Sequence, residues 1–481
     1  MRYYVILRYT GMVMLYVAAF MLAAAGIAVL YGWDSSFSPL VLSALLTALM
    51  GAFPMLFVPK IDQINAKEGF CIVVGAWILS CIVGTFPYLI WGGEFSLINA
   101  WFESVSGFTT TGASILQNIE GLPEGLLFWR TSTGWIGGVG VVMFALVIVP
   151  SLGKTKMMLS NVELSSLAKD SYRYRTQQIV RILLSVYIIM TIVSTLLLKL
   201  SGMRWFDALN QGMSASATCG FSTKNLSVAA FDSPLINLVM GLTIWISGLH
   251  FGVIFATVTG KYNNIFRSEV TRLYFGITVA ATLFIAANLY LTDTYDTIAS
   301  SLMHGSFQVA SLITTAGFAT ADTNLWPPFS IMILVFLSLI CACAGSTSGG
   351  IKIDRLLICA KMVRTRLRGQ QHPTMVARLK IDGAAQSPEL LGTVTLFVVT
   401  YFVLIFIGAA INTLFGMDLL SGVTASIACI GNVGPAFGSV GSMDSYADMP
   451  AILKTQATLL MLLGRLEIFG FIQLLFLKSW R

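Results

Sequence analysis

Thr110-Thr111-Gly112-Ala113-Ser114 closes a stretch, 98–114, that is moderately apolar but too short and too polar to cross a membrane. The same signature returns three times. Thr218-Cys219-Gly220-Phe221 lies in 206–223, Thr315-Ala316-Gly317-Phe318 in 298–320 and Asn432-Val433-Gly434-Pro435 in 419–438. The central glycines are 108, 97 and 117 residues apart. Phe102 and Phe307 each precede their glycine by ten residues, and Trp135-Ile136-Gly137-Gly138 matches Trp245-Ile246-Ser247-Gly248. Self-similarity at a near-constant period marks a chain built from copies of one supersecondary unit.

Around these signatures the chain is apolar from end to end. Of 481 residues, 56% are hydrophobic and 11% charged, which excludes an ordinary soluble domain. Ten stretches are long enough to span: 9–32, 38–58, 70–92, 126–150, 177–201, 235–259, 272–292, 329–345, 390–415 and 453–477. The net charge of +7 is spread over alternate loops. One set, including 154–175 and 361–380, is rich in lysine and arginine. The other carries Glu94, Glu120, Glu124, Asp207, Asp232, Asp444 and Asp448 with few basic residues, Arg130 and Arg204 among them. By the positive-inside rule the basic set and both termini are cytoplasmic, the pattern of a multi-pass inner-membrane protein. The acidic set faces outward, where it concentrates cations. This distribution does not fit a nucleic-acid-binding module.

The expected fold is all-α and integral to the membrane: an N-terminal helix pair (1–68), then four pseudo-symmetric repeats of helix, pore loop and helix (69–160, 161–262, 263–380 and 381–481) around a central pore. A short helix that enters the bilayer and returns as extended chain is tolerated only where it is buried or lines water. A dehydrated monovalent cation needs oxygens in place of its water, and a ring of backbone carbonyls supplies them. Turning those carbonyls inward requires unusual dihedrals, which glycine adopts at least cost. Thr110, Thr218 and Thr315 add hydroxyl oxygens two residues before the glycine, and Asn432 offers an amide oxygen. The candidate cation ligands are therefore Thr110, Thr111, Gly112, Thr218, Cys219, Gly220, Thr315, Ala316, Gly317, Asn432, Val433 and Gly434. The absence of carboxylates from these motifs suits monovalent rather than divalent ions. The competing reading, that each glycine only permits a tight turn, has to be invoked four times in the same register.

These motifs, with Cys343-Ala344-Gly345-Ser346-Thr347-Ser348-Gly349-Gly350-Ile351-Lys352 and Gly464-Arg465-Leu466-Glu467-Ile468-Phe469, resemble the Trk/Ktr/HKT superfamily of potassium transporters, most closely its TrkH type, over almost the whole chain. The resemblance implies a homodimer with one potassium pore per chain and a ring-shaped, nucleotide-binding, TrkA-like cytoplasmic regulatory subunit. K+ is the transported ion, and no tightly bound cofactor is implied. Glycine in all four copies resembles the potassium-permeable members, and Ser348 departs from the glycine of many relatives. The run Gly345, Ser346, Thr347, Ser348, Gly349 and Gly350 is poor helix inside an apolar span, and it resembles the family's intramembrane gate. It lacks the Gly-Lys-Ser/Thr of a phosphate-binding loop. Arg465 lies deep in the last span, where a charge costs about 2.5–3.5 kcal/mol on insertion scales and usually faces a cavity. It is read as a charge on the closed gate, against an ion pair with Glu467.

Two other function classes are weighed. A cation–proton coupled transporter needs a protonatable group at mid-membrane, and only Glu103 and Glu467 come near. A membrane enzyme needs a nucleophile–base pair or a metal cluster. His250, His304 and His372 are scattered, and the seven cysteines show no paired metal spacing.

Overall fold

A run of apolar residues in a bilayer has to satisfy its backbone polar groups internally, which makes it a helix. The computed structural model describes residues 2–59, 65–151, 176–260, 264–372 and 379–475. Six helices among them are long and apolar enough to cross a membrane: Tyr3–Leu30, Phe37–Phe57, Lys67–Trp91, Val180–Leu200, Glu269–Leu291 and Pro388–Leu414. The first two form an antiparallel pair that crosses at Gly11 and Gly51. A Cβ on either glycine would stand 2.6 Å from the other's carbonyl oxygen, so only glycine permits this approach.

After this pair the element order repeats. Ala66–Gly84, Leu97–Phe108 and Glu124–Ser151 are followed by Thr176–Leu200, Trp205–Ala217 and Pro234–Ser247, then by Glu269–Leu291, Ile298–Ile313 and Pro328–Ile340, then by Pro388–Leu414, Leu419–Gly431 and Ala451–Arg465. The middle member of each triplet is short and packs on the helix before it. The third member packs on the short helix of the next triplet: Glu124–Ser151 on Trp205–Ala217, Pro234–Ser247 on Ile298–Ile313, Pro328–Ile340 on Leu419–Gly431, and Ala451–Arg465 back on Leu97–Phe108. The last contact returns to the first triplet and closes the circle.

The matching Trp135 and Trp245 show how neighbouring triplets are fastened. The Trp135 indole donates to Thr191 Oγ1 (3.1 Å) while its carbonyl accepts from the Tyr187 hydroxyl (3.0 Å). Trp245 repeats this with Thr278 (3.4 Å) and Tyr274 (3.0 Å), and each tryptophan ring lies 5.3 Å from its tyrosine.

Three expected spans are not continuous helices. The stretch 235–259 breaks at Gly248-Leu249-His250 into Pro234–Ser247 and Phe251–Val258, bent by 102°. The stretch 329–345 is helical only to Ile340; an irregular segment leads to the basic helix Ile353–Gln371. The stretch 453–477 stops at Arg465 and resumes at Phe469 after Glu467 and Ile468, both with positive φ. Left-handed backbone at a β-branched isoleucine is costly and persists only under tertiary constraint. Arg130, read as an outer-loop residue, lies instead inside Glu124–Ser151 and is 2% exposed. The basic segment 154–175 and residues 373–378 lie outside the described residues.

Candidate ion pathway

Each short helix ends in the same way. The amides of Thr110, Thr218, Thr315 and Asn432 donate three residues back, to Gly107 (2.8 Å), Ala215 (3.2 Å), Leu312 (3.2 Å) and Cys429 (3.3 Å). The amides of Thr111, Cys219, Ala316 and Val433 donate five residues back, to Ser106 (2.8 Å), Ser214 (3.0 Å), Ser311 (2.8 Å) and Ala428 (2.9 Å). This is the Schellman pattern, whose turning residue is left-handed and is usually glycine. Here Thr110, Thr218, Thr315 and Asn432 hold φ between 50° and 57°. A side chain at such a position costs about 1–2 kcal/mol. With the amides turned back into the helix ends, the following carbonyls are free to face elsewhere. The negative ends of four helix dipoles also converge on these segments.

The four central glycines, all with positive φ, then close a ring. A Cβ on Gly112 would collide with the Cys219 carbonyl oxygen, one on Gly220 with that of Ala316, one on Gly317 with that of Val433, and one on Gly434 with that of Thr111. Every approach is under 3.0 Å, so each glycine is required by its neighbour's backbone as well as by its own dihedral. The twelve motif residues therefore come together, four by four, at one place.

Behind the ring lies a support that the sequence reading did not assemble. Glu103, fully buried, accepts from Ser114 Oγ (2.9 Å) and the Ile115 amide (3.1 Å) on its own segment. It also pairs with Arg130 Nε at 2.6 Å. Arg130 donates to the Ser222 carbonyl (3.0 Å) of the next segment and lies 3.7 Å over the Phe221 ring. Glu103, Gln211 and Gln308 each precede their glycine by nine residues, which is the signal that was available. At the seam between the fourth and first segments, Tyr446 donates its amide to the Ser114 carbonyl (2.8 Å) and its hydroxyl to the Gly434 carbonyl (2.9 Å). In the third segment His304 Nδ1 lies 3.1 Å from Thr320 Oγ1, and its ring stacks on Tyr295.

Under the ring sits the irregular segment after Ile340. Gly345 packs on the His250 ring, where a Cβ has no room, and its carbonyl accepts from the Phe251 amide (3.2 Å). The two broken helices thus lean on each other. Ser346 and Ser348 share a hydrogen bond at 2.6 Å, and Ser346 Oγ donates to the Cys343 carbonyl (2.7 Å). Thr218 Oγ1 donates to Thr347 Oγ1 (3.1 Å), and the Gly349 amide donates to Thr315 Oγ1 (3.0 Å). Gly350 abuts Cys341. Arg465, 5% exposed, donates to the Thr347 carbonyl (2.9 Å) and the Gly137 carbonyl (3.4 Å), while the Glu467 carboxylate is taken by Lys352 (2.8 Å) and Arg355 (2.5 Å). All four units meet here.

The architecture has counterparts. The family model described as TrkH, cation transport protein, matches residues 41–479. A Trk system potassium uptake protein TrkH of Salmonella typhimurium is 33% identical over 422 residues, covering 87% of each chain, and that of Halomonas elongata is 31% identical over 491 residues, covering 99% of each. The crystal structure of the potassium transporter TrkH from Vibrio parahaemolyticus superimposes with a TM-score of 0.90 at 30% identity, covering all of both chains. A family match across nearly the whole length, on the same fold, means that this chain belongs to the TrkH family of cation transport proteins.

Proposed function

We propose that the chain takes up potassium across the cytoplasmic membrane through a channel-like pore, with the ring of Thr110–Gly112, Thr218–Gly220, Thr315–Gly317 and Asn432–Gly434 as its selectivity filter. The observation that carries this is the closed cycle in which each glycine is sealed by the next segment's carbonyl. It is joined by the strained threonines, whose left-handed backbone is hard to explain where glycine would serve unless the hydroxyl is used. Carbonyls and hydroxyls replace the hydration shell of a monovalent cation without adding formal charge.

Residues 345–350 and Arg465 form the gate in this reading. The loop lies against the threonines of the ring, and a guanidinium fixed on it raises the electrostatic cost of a cation. Both termini are cytoplasmic. The basic helix Ile353–Gln371, continuous with the loop, carries Arg364, Arg366 and Arg368 toward a nucleotide-binding regulatory subunit, and the chain works as a homodimer. A proton-coupled mechanism has less support, because Glu103 and Glu467 are both committed to cations.

The test is flux of potassium and sodium into liposomes holding the full chain. Gly112→Ser places a Cβ against the Cys219 carbonyl and should lower the potassium-to-sodium ratio at unchanged insertion. An unchanged ratio in an inserted, conducting variant removes the filter reading.

A further inference from the structure

The four side-chain oxygens at the inner edge of the ring stand in one backbone register but are not equivalent. Thr315 Oγ1 accepts the Gly349 amide, so the loop occupies one of its lone pairs, whereas Thr218 Oγ1 shares its proton between the Thr347 hydroxyl (3.1 Å) and the Ala217 carbonyl (2.8 Å) and is only abutted by the loop. Thr110 Oγ1 and Asn432 Oδ1 are fully buried with no hydrogen-bond partner. The Asn432 amide is oriented by its nitrogen, which donates to the Met461 carbonyl and to Thr111 Oγ1, both at 3.0 Å. Its free oxygen lies between the loop and the last helix, since a Cβ on Gly349 would lie 3.0 Å from it and one on Gly464 3.1 Å. An unpaired buried oxygen is costly, and a ring of four oxygens with two left unpaired points to a ligand that supplies positive charge.

On this basis, and resting on the filter reading above, we propose that the docked loop and a dehydrated potassium ion compete for the threonine oxygens at the inner edge of the ring, so that ion occupancy of this innermost position itself promotes release of the loop. The sign follows from the contacts. The Gly349 N–H occupies a lone pair of Thr315 and presents its positive end to the site. Thr347 fills the space beside Thr218. The Arg465 guanidinium, bonded to the Thr347 carbonyl, brings a full positive charge with the loop. A cation at the four oxygens needs the Thr315 lone pair, needs the space that Thr347 fills, and is repelled by that charge. Linkage then requires that bound ion weaken loop docking by the same factor as docking weakens the ion.

The experiment is single-channel recording of the full chain in planar bilayers. Outer potassium is raised from limiting to saturating at constant ionic strength, with N-methylglucamine as the balancing cation. Open probability is read separately from unitary current. In the parent, open probability should rise with potassium. Thr347→Val removes the partner of Thr218 and the bond to the Ser216 carbonyl (3.3 Å). It should raise open probability at limiting potassium about fivefold per bond lost and flatten the potassium dependence, with the permeability ratio unchanged. Thr347→Ser, which keeps the hydroxyl, should behave as the parent. A parent whose open probability is independent of potassium overturns the proposal even if neither variant inserts. So does a conducting Thr347→Val channel with parental gating. Neither result touches the filter reading, which stands or falls on the permeability ratio of Gly112→Ser.

Discussion

Glu103→Gln is the perturbation whose consequence is best fixed by the geometry. The carboxylate is fully buried, sits 2.6 Å from Arg130 Nε, and holds the segment after Gly112 through Ser114 and Ile115. Neutralising it leaves Arg130 buried beside an amide, and breaking a buried pair from one side costs about 3–5 kcal/mol. Part of that cost is avoided if Arg130 moves, but it then abandons the Ser222 carbonyl and the Phe221 ring, and the second segment loses its tether. Either way the strain reaches the ring. The second triplet shows the remedy: Gln211, in the same register, is neutral and donates to Ser222 Oγ at 2.7 Å. The double variant Glu103→Gln/Arg130→Gln should therefore recover much of the loss. The assay is a double-mutant cycle on thermal unfolding in detergent, together with the potassium-to-sodium flux ratio in liposomes. Glu103→Gln should unfold at lower temperature and discriminate less, and the two substitutions should couple by more than 1 kcal/mol, a value of about the size seen for residues in one network. Additive effects, or a Glu103→Gln variant with parental stability and selectivity, would refute the reasoning.

Arg465→Ala removes a charged hydrogen bond to the Thr347 carbonyl, worth about 1.5–3 kcal/mol, and should raise cation flux per inserted chain; Arg465→Lys keeps the charge without the planar fork and should fall between the two. Tyr187→Phe deletes the hydroxyl held by the Trp135 carbonyl and should cost about 1 kcal/mol of stability in a thermal melt, with the flux ratio unaltered. Asp418 caps Leu419–Gly431 by accepting from the Ser421 amide at 3.0 Å, and hydrogen bonding from the Ser421 side chain, then from its amide, holds the Asp418 carboxyl below the usual range. Asp418→Ala should cost about 1 kcal/mol. The cap's contribution in the parent is present above the ordinary carboxylate pKa and fades as pH falls through the lowered one, so the parent–variant gap in melting temperature should narrow in acid.

Much of the fold was legible because the membrane leaves a long apolar run few options, and because the ring motif is local: helix end, left-handed residue and glycine are written in consecutive letters. Thr110-Thr111-Gly112 and its three counterparts needed no alignment beyond the chain itself. The irregular segment at 345–350 was likewise visible, since three glycines among six small residues do not sustain a helix. The breaks at Gly248-Leu249-His250 and at Glu467-Ile468 were not, because an isolated glycine, histidine or charged residue within a long apolar run does not by itself end a helix. They arise where another chain segment takes the freed backbone groups: the Gly248 carbonyl accepts from the Cys343 amide, and the Glu467 side chain is drawn to Lys352 and Arg355.

The sequence by itself thus determined where most of the apolar helices run and, in each of the four short segments, the place where the backbone must turn, since these depend on residues within a few positions of one another. It offered Arg130 and Glu103 only as two charges in an apolar chain, 27 residues apart. That they form one buried pair, that each glycine is closed by the carbonyl of the next segment around the ring, which for Gly434 means returning to Thr111, and that Thr347 lies against Thr218 were decided by the tertiary structure alone. The physical reason is that such contacts are chosen by the circular packing of four short helices, and no local propensity encodes which residue of one segment will face which residue of the next.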